Sequence, residues 1–355
     1  MNNDPKLACS LSLLKSSCVD NSCGDSRPFD KLRAGARLSS RAHLDRSFGV
    51  FRWFVLFSLV AGMALFSAPA FARTPQGQFE KTFTVNGTVN LEVFTHSGNI
   101  TIRAGSGNTV FVRGKIFVGD HWLFGSRTAD VHSIEQHPPL HQDGNSIRVD
   151  YVNERDVSVE YEISVPADTI IRTRSGSGDQ TLSGTRGNID LHAGSGDLRL
   201  DQITGELRVE TGSGNVRAQS ITGPLRGSTG SGDIEVAETG AGDVDLRTGS
   251  GNISVRGVHG SFRGETGSGD ITAEGDMTGA WEIRTGSGTV HVRLPANAAF
   301  DANLSTSSGS LEVDSPITTT VQGRVQETRK SIRGQVHGGG PTLSIHTGSG
   351  DIHVQ

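Results

Sequence analysis

The chain has 355 residues, of which 47 are glycine, whereas 6% are aromatic and 34% are hydrophobic. So few large side chains exclude a conventional thick core and favour a thin core between closely stacked strands. The formal net charge is −5, and the basic residues are scattered singly rather than gathered in runs with aromatic residues between them, which argues against a nucleic-acid partner.

An export signal is predicted at residues 50–72. Residues 51–71 read FRWFVLFSLVAGMALFSAPAF, an arginine followed by an apolar stretch and then by small residues. This is the layout of a secretory signal peptide with cleavage after Ala72. A membrane anchor is the alternative, but Gly62 and Pro69 interrupt the stretch, which is short for a spanning helix. We therefore expect an exported protein, in the periplasm, at the cell surface or secreted, with no membrane span in the mature chain.

Residues 1–49 are mostly polar and would hinder recognition of the signal as an N-terminus. We interpret them as a mis-assigned or disordered extension, with Val50 as the alternative first residue. All the cysteines lie in this extension, namely Cys9, Cys18 and Cys23. The mature chain is accordingly expected to have neither disulfides nor a cysteine-ligated metal.

Residues 165–294 contain a repeated turn, Gly-Ser-Gly-Asp or Gly-Ser-Gly-Asn. Its second glycine recurs every 18 or 19 residues, and the turn returns once more near the end of the chain. Such regularity is typical of stacked supersecondary units. The glycines predicted to form the structural turns are Gly178, Gly196, Gly214, Gly232, Gly251, Gly269, Gly288 and Gly350.

Each unit is predicted to hold two short strands. In GSGDLRLDQITGELRVET, apolar residues alternate with polar ones at Leu198 and Leu200 and again at Leu207 and Val209. The period of two indicates strands, and a three-sided helix would instead need apolar residues about every six positions. A two-sided parallel solenoid and a long antiparallel meander both fit. The near-identity of successive units favours an all-β, two-sided parallel β-solenoid or β-helix with coils of about 18 residues.

The turn residues predict ladders along the stack. Glycine suits tight turns that demand positive φ, and the Asp or Asn that follows can bond nearby backbone N–H groups. A threonine recurs just before the turn, which predicts a threonine ladder at the strand ends. Its members are Thr211, Thr229, Thr248, Thr266 and Thr285.

The flanks are less regular. Residues 73–164 are strand-rich and are predicted to form first coils, with residues 118–145 as a loop or cap that shields the sheet edge. Residues 295–355 are predicted to form irregular coils that end in a last TGSGDI repeat. A second internal match pairs VPADT at Val165 with LPANA at Leu294.

Calcium is the first chemistry to weigh, because calcium-binding β-rolls also have coils of two nonapeptides. Here the acid follows glycine directly, only alternate turns carry one, and several turns hold Asn or Thr instead. Because Ca²⁺ takes six or more oxygen ligands, we expect no cofactor. The weak calcium candidates are Asp197, Asp233 and Asp270.

Other metal or catalytic sites are not indicated. Histidines cluster in the predicted cap, but the Pro138-Pro139 pair argues against a regular helix between His137 and His141, and we interpret the histidines as surface residues. They are His121, His132, His137 and His141. Outward acids and arginines alternate in sign, which is typical of a solvated face with modest pairing energy. No residue departs from the repeat as a grafted catalytic site would, so we expect no enzyme. These outward residues include Asp201, Glu206, Glu235, Asp245, Arg199, Arg208, Arg217 and Arg226.

The ordered set of motifs resembles a family of exported bacterial "putative adhesins" that contain a domain of unknown function. The motifs are FTVNGTVNLEVFTHSGNITI, VSVEYEISVP, the TGSGDI units and the closing GGGP-x-L-x-I-x-TGSGDI. The resemblance implies a β-solenoid outside the cytoplasm, with a role in adhesion or envelope maintenance, and it supplies no catalytic residues.

Two functions follow from this sequence. The first is a non-catalytic exported surface that binds a cell-envelope or cell-surface component, glycan or protein, as an adhesin does. The alternative is a periplasmic scaffold or envelope-stress sensor with a protein partner. A polysaccharide-active enzyme is the least favoured, although parallel β-helices commonly carry such activities.

Overall fold

The computed structural model describes residues 74–119, 127–154, 156–318 and 330–355. The predicted signal peptide, the three cysteines and His121 lie outside these residues. Within them, no helix is long and apolar enough to cross a membrane.

The N-terminal part combines parallel and antiparallel strands with one helix. Its elements are β1 (Gly77–Thr84), β2 (Val89–Ser97), β3 (Ile100–Gly105), β4 (Thr109–Val118), α1 (Arg127–Gln136), β5 (Leu140–Asp143), β6 (Ser146–Val149), β7 (Val157–Pro166), β8 (Thr169–Ser177) and β9 (Gln180–Ser183). Strand β4 pairs antiparallel with β1 and β7, and β5 with β6. Where a loop or cap was predicted, the chain forms α1 and the β5–β6 hairpin. Val131 and Ile134 of α1 are buried, and Glu135 Oε1 accepts the Gln78 N–H of β1 at 2.9 Å.

Each regular coil contributes one strand to each of the two sheets. Their strands are β10 (Ile189–Ser195), β11 (Leu198–Thr204), β12 (Leu207–Ser213), β13 (Val216–Thr222), β14 (Leu225–Ser231), β15 (Ile234–Glu238), β16 (Val244–Ser250), β17 (Ile253–His259), β18 (Phe262–Ser268), β19 (Ile271–Asp276), β20 (Trp281–Ser287) and β21 (Val290–Arg293). Even-numbered strands pair in parallel with one another, and odd-numbered strands do the same.

The C-terminal part adds β22 (Phe300–Ser308), β23 (Leu311–Val313), β24 (Ile317–Thr318), β25 (Lys330–Val336), β26 (Thr342–Ser349) and β27 (Ile352–Val354). The described strands form one sheet of 13 and one of 14. In-register partners lie one repeat apart, as in Leu198 opposite Val216. The predicted two-sided parallel β-solenoid is therefore confirmed.

The core is a thin layer of aliphatic ladders between the sheets. Alternate residues of each strand point inward, so identical positions of successive coils stack at about 4.8 Å. Leu198, Val216, Ile234, Ile253 and Ile271 form one such column, and all are at most 1% exposed. Stacked aliphatic side chains bury their apolar surface without the aromatic residues that the composition lacks.

The last repeat in sequence is not the last coil in space. Strands β26 and β27 lie between the β20–β21 coil and the β22–β23 coil. At the other end, β2 and β3 lie likewise between the β6–β7 coil and the β8–β9 coil. The chain thus steps over one coil twice, directly after β7 and directly after β21. These two steps coincide with Pro166-Ala167 and Pro295-Ala296, which explains the second internal match.

The predicted threonine ladder is buried at the end of the even-numbered strands. Each hydroxyl donates to the turn glycine carbonyl of the preceding coil, as in Thr248 to Gly232 at 3.0 Å and Thr266 to Gly251 at 3.0 Å. The ladder therefore ties adjacent turns together by side-chain as well as backbone hydrogen bonds.

Replacing Thr248 with valine should lower the free energy of unfolding by about 1 kcal/mol, because the shape is kept while one hydrogen bond is lost and the Gly232 carbonyl loses a donor. Serine at the same position keeps the hydroxyl and should cost less. Urea denaturation followed by circular dichroism compares the two. A valine variant as stable as the parent would show that this ladder contributes shape alone.

Candidate binding surface

The outward side of the 14-stranded sheet carries two adjacent columns of charged residues, which we call the charged face. In five of its strands the two columns hold one acidic and one basic residue each. These pairs are Asp190/His192, Arg208/Glu210, Asp245/Arg247, Arg263/Glu265 and Glu282/Arg284. The face therefore alternates in sign both along and across the strands.

Ion pairs neutralise most of the charged face. Arg208 Nη2 lies 2.5 Å from Glu210 Oε1, and the Arg247 guanidinium contacts both carboxylate oxygens of Asp245, at 3.0 and 3.1 Å. These bonds raise the pKa of both arginines. All four side chains are at least a third exposed, so solvent screens the pairs and they add little to stability.

An aromatic patch lies at the N-terminal end of the same face. We define it as Phe94 and His96 of β2 with Tyr151, which follows β6. The Tyr151 ring stacks on His96 with centroids 4.4 Å apart and contacts Phe94 at 5.6 Å. The Arg148 guanidinium lies 4.9 Å from the Phe94 centroid, within cation–π range. Arg174 stands opposite Phe94 in the sheet register.

Tyr151 and His96 of the patch are exposed, and Phe94 is half-buried. Among the described residues, the large hydrophobic side chains that are exposed are Tyr151, at 38%, and Ile170, at 41%. Ile170 points outward from β8, two residues before Arg172, and thus lies on the same face. Exposed apolar side chains rimmed by charge are typical of a binding surface.

The predicted turn glycines form a column in which the backbones of successive coils touch. A Cβ at Gly196 would lie 2.2 Å from the Gly178 carbonyl oxygen, and one at Gly214 would lie 2.0 Å from that of Gly196. Positive φ was the predicted reason for glycine, and it applies at Gly196 (φ 148°) but is not shared by Gly214. Close stacking is the requirement common to the whole column, and the sequence did not reveal it.

The calcium candidates are held by the backbone of the next coil. Asp197 Oδ1 accepts the Asn215 N–H at 2.9 Å, and Asn215 Oδ1 accepts the Asp233 N–H at 3.0 Å. Asp233 and Asp270 bond the next turn in the same way, at 2.8 Å each. In the described part of the chain, no three His, Cys, Asp or Glu side chains come together in a group that could hold a metal ion.

The column of Asp and Asn residues at the turns has acids in two adjacent coils, Asp179 and Asp197, and Arg199 bridges them. Arg199 Nη1 lies 2.9 Å from Asp179 Oδ2, and Nη2 lies 2.8 Å from Asp197 Oδ2. Burial alone would raise the pKa of Asp179, but the bonds from Arg199 and the Asp197 N–H outweigh it and the pKa is lowered. Asn215 and Asn252 separate the later acids and so avoid like charges in adjacent coils.

Two of the described histidines of the predicted cap, His132 and His141, have separate acidic partners. His132 of α1 contacts Glu135 at 3.5 Å, and His141 of β5 contacts Asp150 at 3.4 Å. Helix α1 ends at Gln136, just before His137 and the two prolines. Each histidine is thus placed as a surface residue.

A buried acid departs from the repeat, contrary to the expectation that no residue does. Glu238 occupies the interior column that holds Ile203 and Ile221 in the two preceding coils, and it is only 6% exposed. Neither carboxylate oxygen has a hydrogen-bond partner. Burial, with a smaller effect of Asp243, raises the pKa of Glu238 to about 8. The signal was available, since Glu-Thr-Gly replaces Ile-Thr-Gly at this turn.

Comparison with known proteins gives a family, and the similar solved structures include two adhesin-like proteins. The family described as Toastrack DUF4097 matches residues 145–355. A crystal structure of a "putative adhesin" from Bacteroides fragilis is similar over 79% of this chain and 98% of its own, with 14% identity and a TM-score of 0.34. That of a "putative cell adhesion protein" from Clostridium sporogenes covers 78% and 98%, with 11% identity and a TM-score of 0.17. At these TM-scores neither structure carries weight for function. No curated protein matches the chain.

Proposed function

Since this chain belongs to the Toastrack DUF4097 family, a family whose function is not defined, we propose from its own surface that it is a non-catalytic exported protein that binds a glycan of the cell envelope or of another cell surface. The signal-like segment at residues 50–72 supports export. The resemblance to exported adhesins agrees with a surface role.

The observation that carries the proposal is the aromatic patch. Phe94 and His96 are held by strand β2, and the Tyr151 ring stacks on His96, so little conformational entropy is lost when a ligand packs on them. Tyr151 offers an apolar ring with a polar hydroxyl, which suits a sugar ring that has apolar C–H faces and polar edges. Arg148 and Arg174 flank the rings and can donate hydrogen bonds to hydroxyl or acidic groups.

The charged face supports binding rather than hydrolysis. Glycoside hydrolysis commonly needs one protonated carboxylic acid beside one ionised carboxylate. Asp190, Glu210, Asp245 and Glu282 each lie within 3.0 Å of a basic side chain. The carboxyl whose pKa lies near neutrality is Glu238, which is buried in the core.

Tyr151→Ala should weaken binding to protein-free cell walls roughly tenfold, because loss of a stacking ring costs on the order of 1 kcal/mol. Co-sedimentation of the purified protein with deproteinised walls and with isolated polysaccharides measures this. Tyr151→Phe keeps the ring and should bind nearly as well. Thr272→Ala, on the exposed side of the opposite sheet, is the control.

Unchanged wall binding by Tyr151→Ala would refute the role of the patch. Binding that occurs only to envelopes that retain their proteins would instead support the scaffold or sensor function. Shortening of the polysaccharide during incubation would point to an enzyme.

A further inference from the structure

Strand β14 interrupts the charge pattern of the charged face between β12 and β16. Strand β14 carries Arg226 in the first column and Ser228 in the second, where the strands on both sides carry an acid and a base. Arg226 stands between Arg208 and Asp245 in register, and Ser228 stands between Glu210 and Arg247. An acid is therefore missing from the pattern at Ser228.

No neighbouring acid compensates Arg226. Asp245, its in-register neighbour, is held at both oxygens by Arg247 of its own strand. Glu210 is bonded by Arg208 and lies 3.0 Å from His192. Over the described ranges of the chain, neither Arg226 nor the Ser228 hydroxyl has a hydrogen-bond or ion-pair partner.

The small residues of β14 leave space beside the free guanidinium. A shallow cavity of about 200 Å³ opens to solvent above Gly227 and Ser228. Its polar walls are Arg208, Glu210, Arg226, Ser228, Asp245 and Arg247. Three guanidinium groups therefore surround the pocket. The Arg226 guanidinium and the Ser228 hydroxyl have free hydrogen-bond donors there.

We propose that this pocket, the Arg226 notch, binds a carboxylate or sulfate group of an acidic glycan. The inference rests on the proposed glycan-binding function and deepens it by naming the chemical class. A guanidinium presents a planar fork of donors that matches an oxyanion in two parallel hydrogen bonds. Ser228 Oγ can donate a further bond, and Arg208 and Arg247 supply positive charge at the rim.

The position of the notch favours a polymer over a small ion. Arg174, beside the aromatic patch, likewise has no ion pair within the described residues, and it lies three coils from Arg226 on the same face. At about 4.8 Å per strand the separation is roughly 14 Å. An extended acidic chain can reach both arginines and continue onto the aromatic patch next to Arg174, whereas a single ion can occupy only one site.

The decisive variant is Ser228→Glu, which gives β14 an acid, as its neighbours β12 and β16 have, and places that acid beside Arg226. Binding of the full protein to polygalacturonate, dextran sulfate and neutral dextran is measured at fixed ionic strength. Ser228→Glu and Arg226→Ala should each weaken binding to at least one acidic polymer tenfold or more, whereas Ser228→Gln should change it less than threefold. Arg217→Ala removes the same charge from the opposite sheet and serves as the control.

Equal losses for Arg226→Ala and Arg217→Ala, or equal binding to neutral dextran, would overturn the notch. Displacement of the acidic polymers by inorganic sulfate at low millimolar concentration would assign the notch to free ions and overturn the glycan. Wall binding that depends on Tyr151 but is insensitive to Ser228→Glu would refute the notch and leave the proposed function intact. Binding of acidic polymers that depends on the notch, without binding to cell walls, would support the notch and refute the proposed wall-binding function.

Discussion

Replacing Glu238 with isoleucine should raise the free energy of unfolding at pH 8 by roughly 3–5 kcal/mol. The side chain is 6% exposed, and neither carboxylate oxygen has a hydrogen-bond partner. The negative charge of Asp243 also disfavours ionisation of Glu238. Burial raises its pKa from 4.5 to about 8, and each pKa unit corresponds to about 1.4 kcal/mol. Isoleucine already fills the same column position at Ile203 and Ile221, so it should fit without strain.

The destabilisation caused by Glu238 increases with pH. The folded state binds the Glu238 proton more tightly than the unfolded state, so stability is full below about pH 4.5 and falls as the pH rises to about 8. Glu238→Ile should remove that fall. Glu238→Gln should also remove it but should gain less stability, because the amide stays buried without a partner.

Urea denaturation at pH 5, 6.5 and 8 measures both variants against the parent. The parent should lose stability over this range, whereas the two variants should change little. A parent that is equally stable at pH 5 and pH 8 would show that Glu238 reaches solvent or a counter-charge in solution.

The coil itself could be predicted from the sequence, because its cause is local and repeated. Alternation of apolar residues, as at Leu198 and Leu200, fixes which side faces the core, and the threonines before the turn fix a ladder. Thr248 and Thr266 are buried and bonded as the pattern implied. Repetition makes each such inference stronger, since every unit tests it again.

The order of the end coils could not be predicted. The turn at Gly350 is nearly identical to that at Gly269, so the sequence is compatible with pairing next to any coil. Only long-range pairing places it between the β20–β21 and β22–β23 coils. The prolines at Pro166 and Pro295 marked the steps, but a proline signals a break and not the distance that the chain then crosses.

The residues that depart from the repeat and the aromatic patch could not be predicted for a different reason. Averaging over repeats hides the single unit that departs from them. Glu238 in place of isoleucine and Ser228 in place of an acid are one-residue changes in an otherwise regular column. The aromatic patch also joins residues far apart in sequence, since Tyr151 meets Phe94 only through strand pairing. Differences between repeats, rather than their consensus, are therefore where sites should be sought in this fold.

Gly232→Ala should destabilise the protein by about 3 kcal/mol or more, because the new methyl group meets backbone that cannot move alone. A Cβ at Gly232 would lie 2.0 Å from the Gly214 carbonyl oxygen, and Gly251 in turn stacks on the Gly232 carbonyl. Adjacent coils would have to separate, and each coil of a solenoid contacts only its neighbours, so the break interrupts the stack.

Gly107→Ala is the matched control, because it isolates backbone conformation from stacking. Gly107 has φ 100° and nothing within 4 Å of the position of a Cβ, so alanine there should cost only about 1–2 kcal/mol. Thermal and urea denaturation compare the two variants. If both lost the same stability, the close approach to the Gly214 carbonyl would cost no more than the positive φ at Gly107, and stacking would not explain the glycine column. A much larger loss at Gly232 would show that glycine recurs because the coils stack through their turns, backbone against backbone.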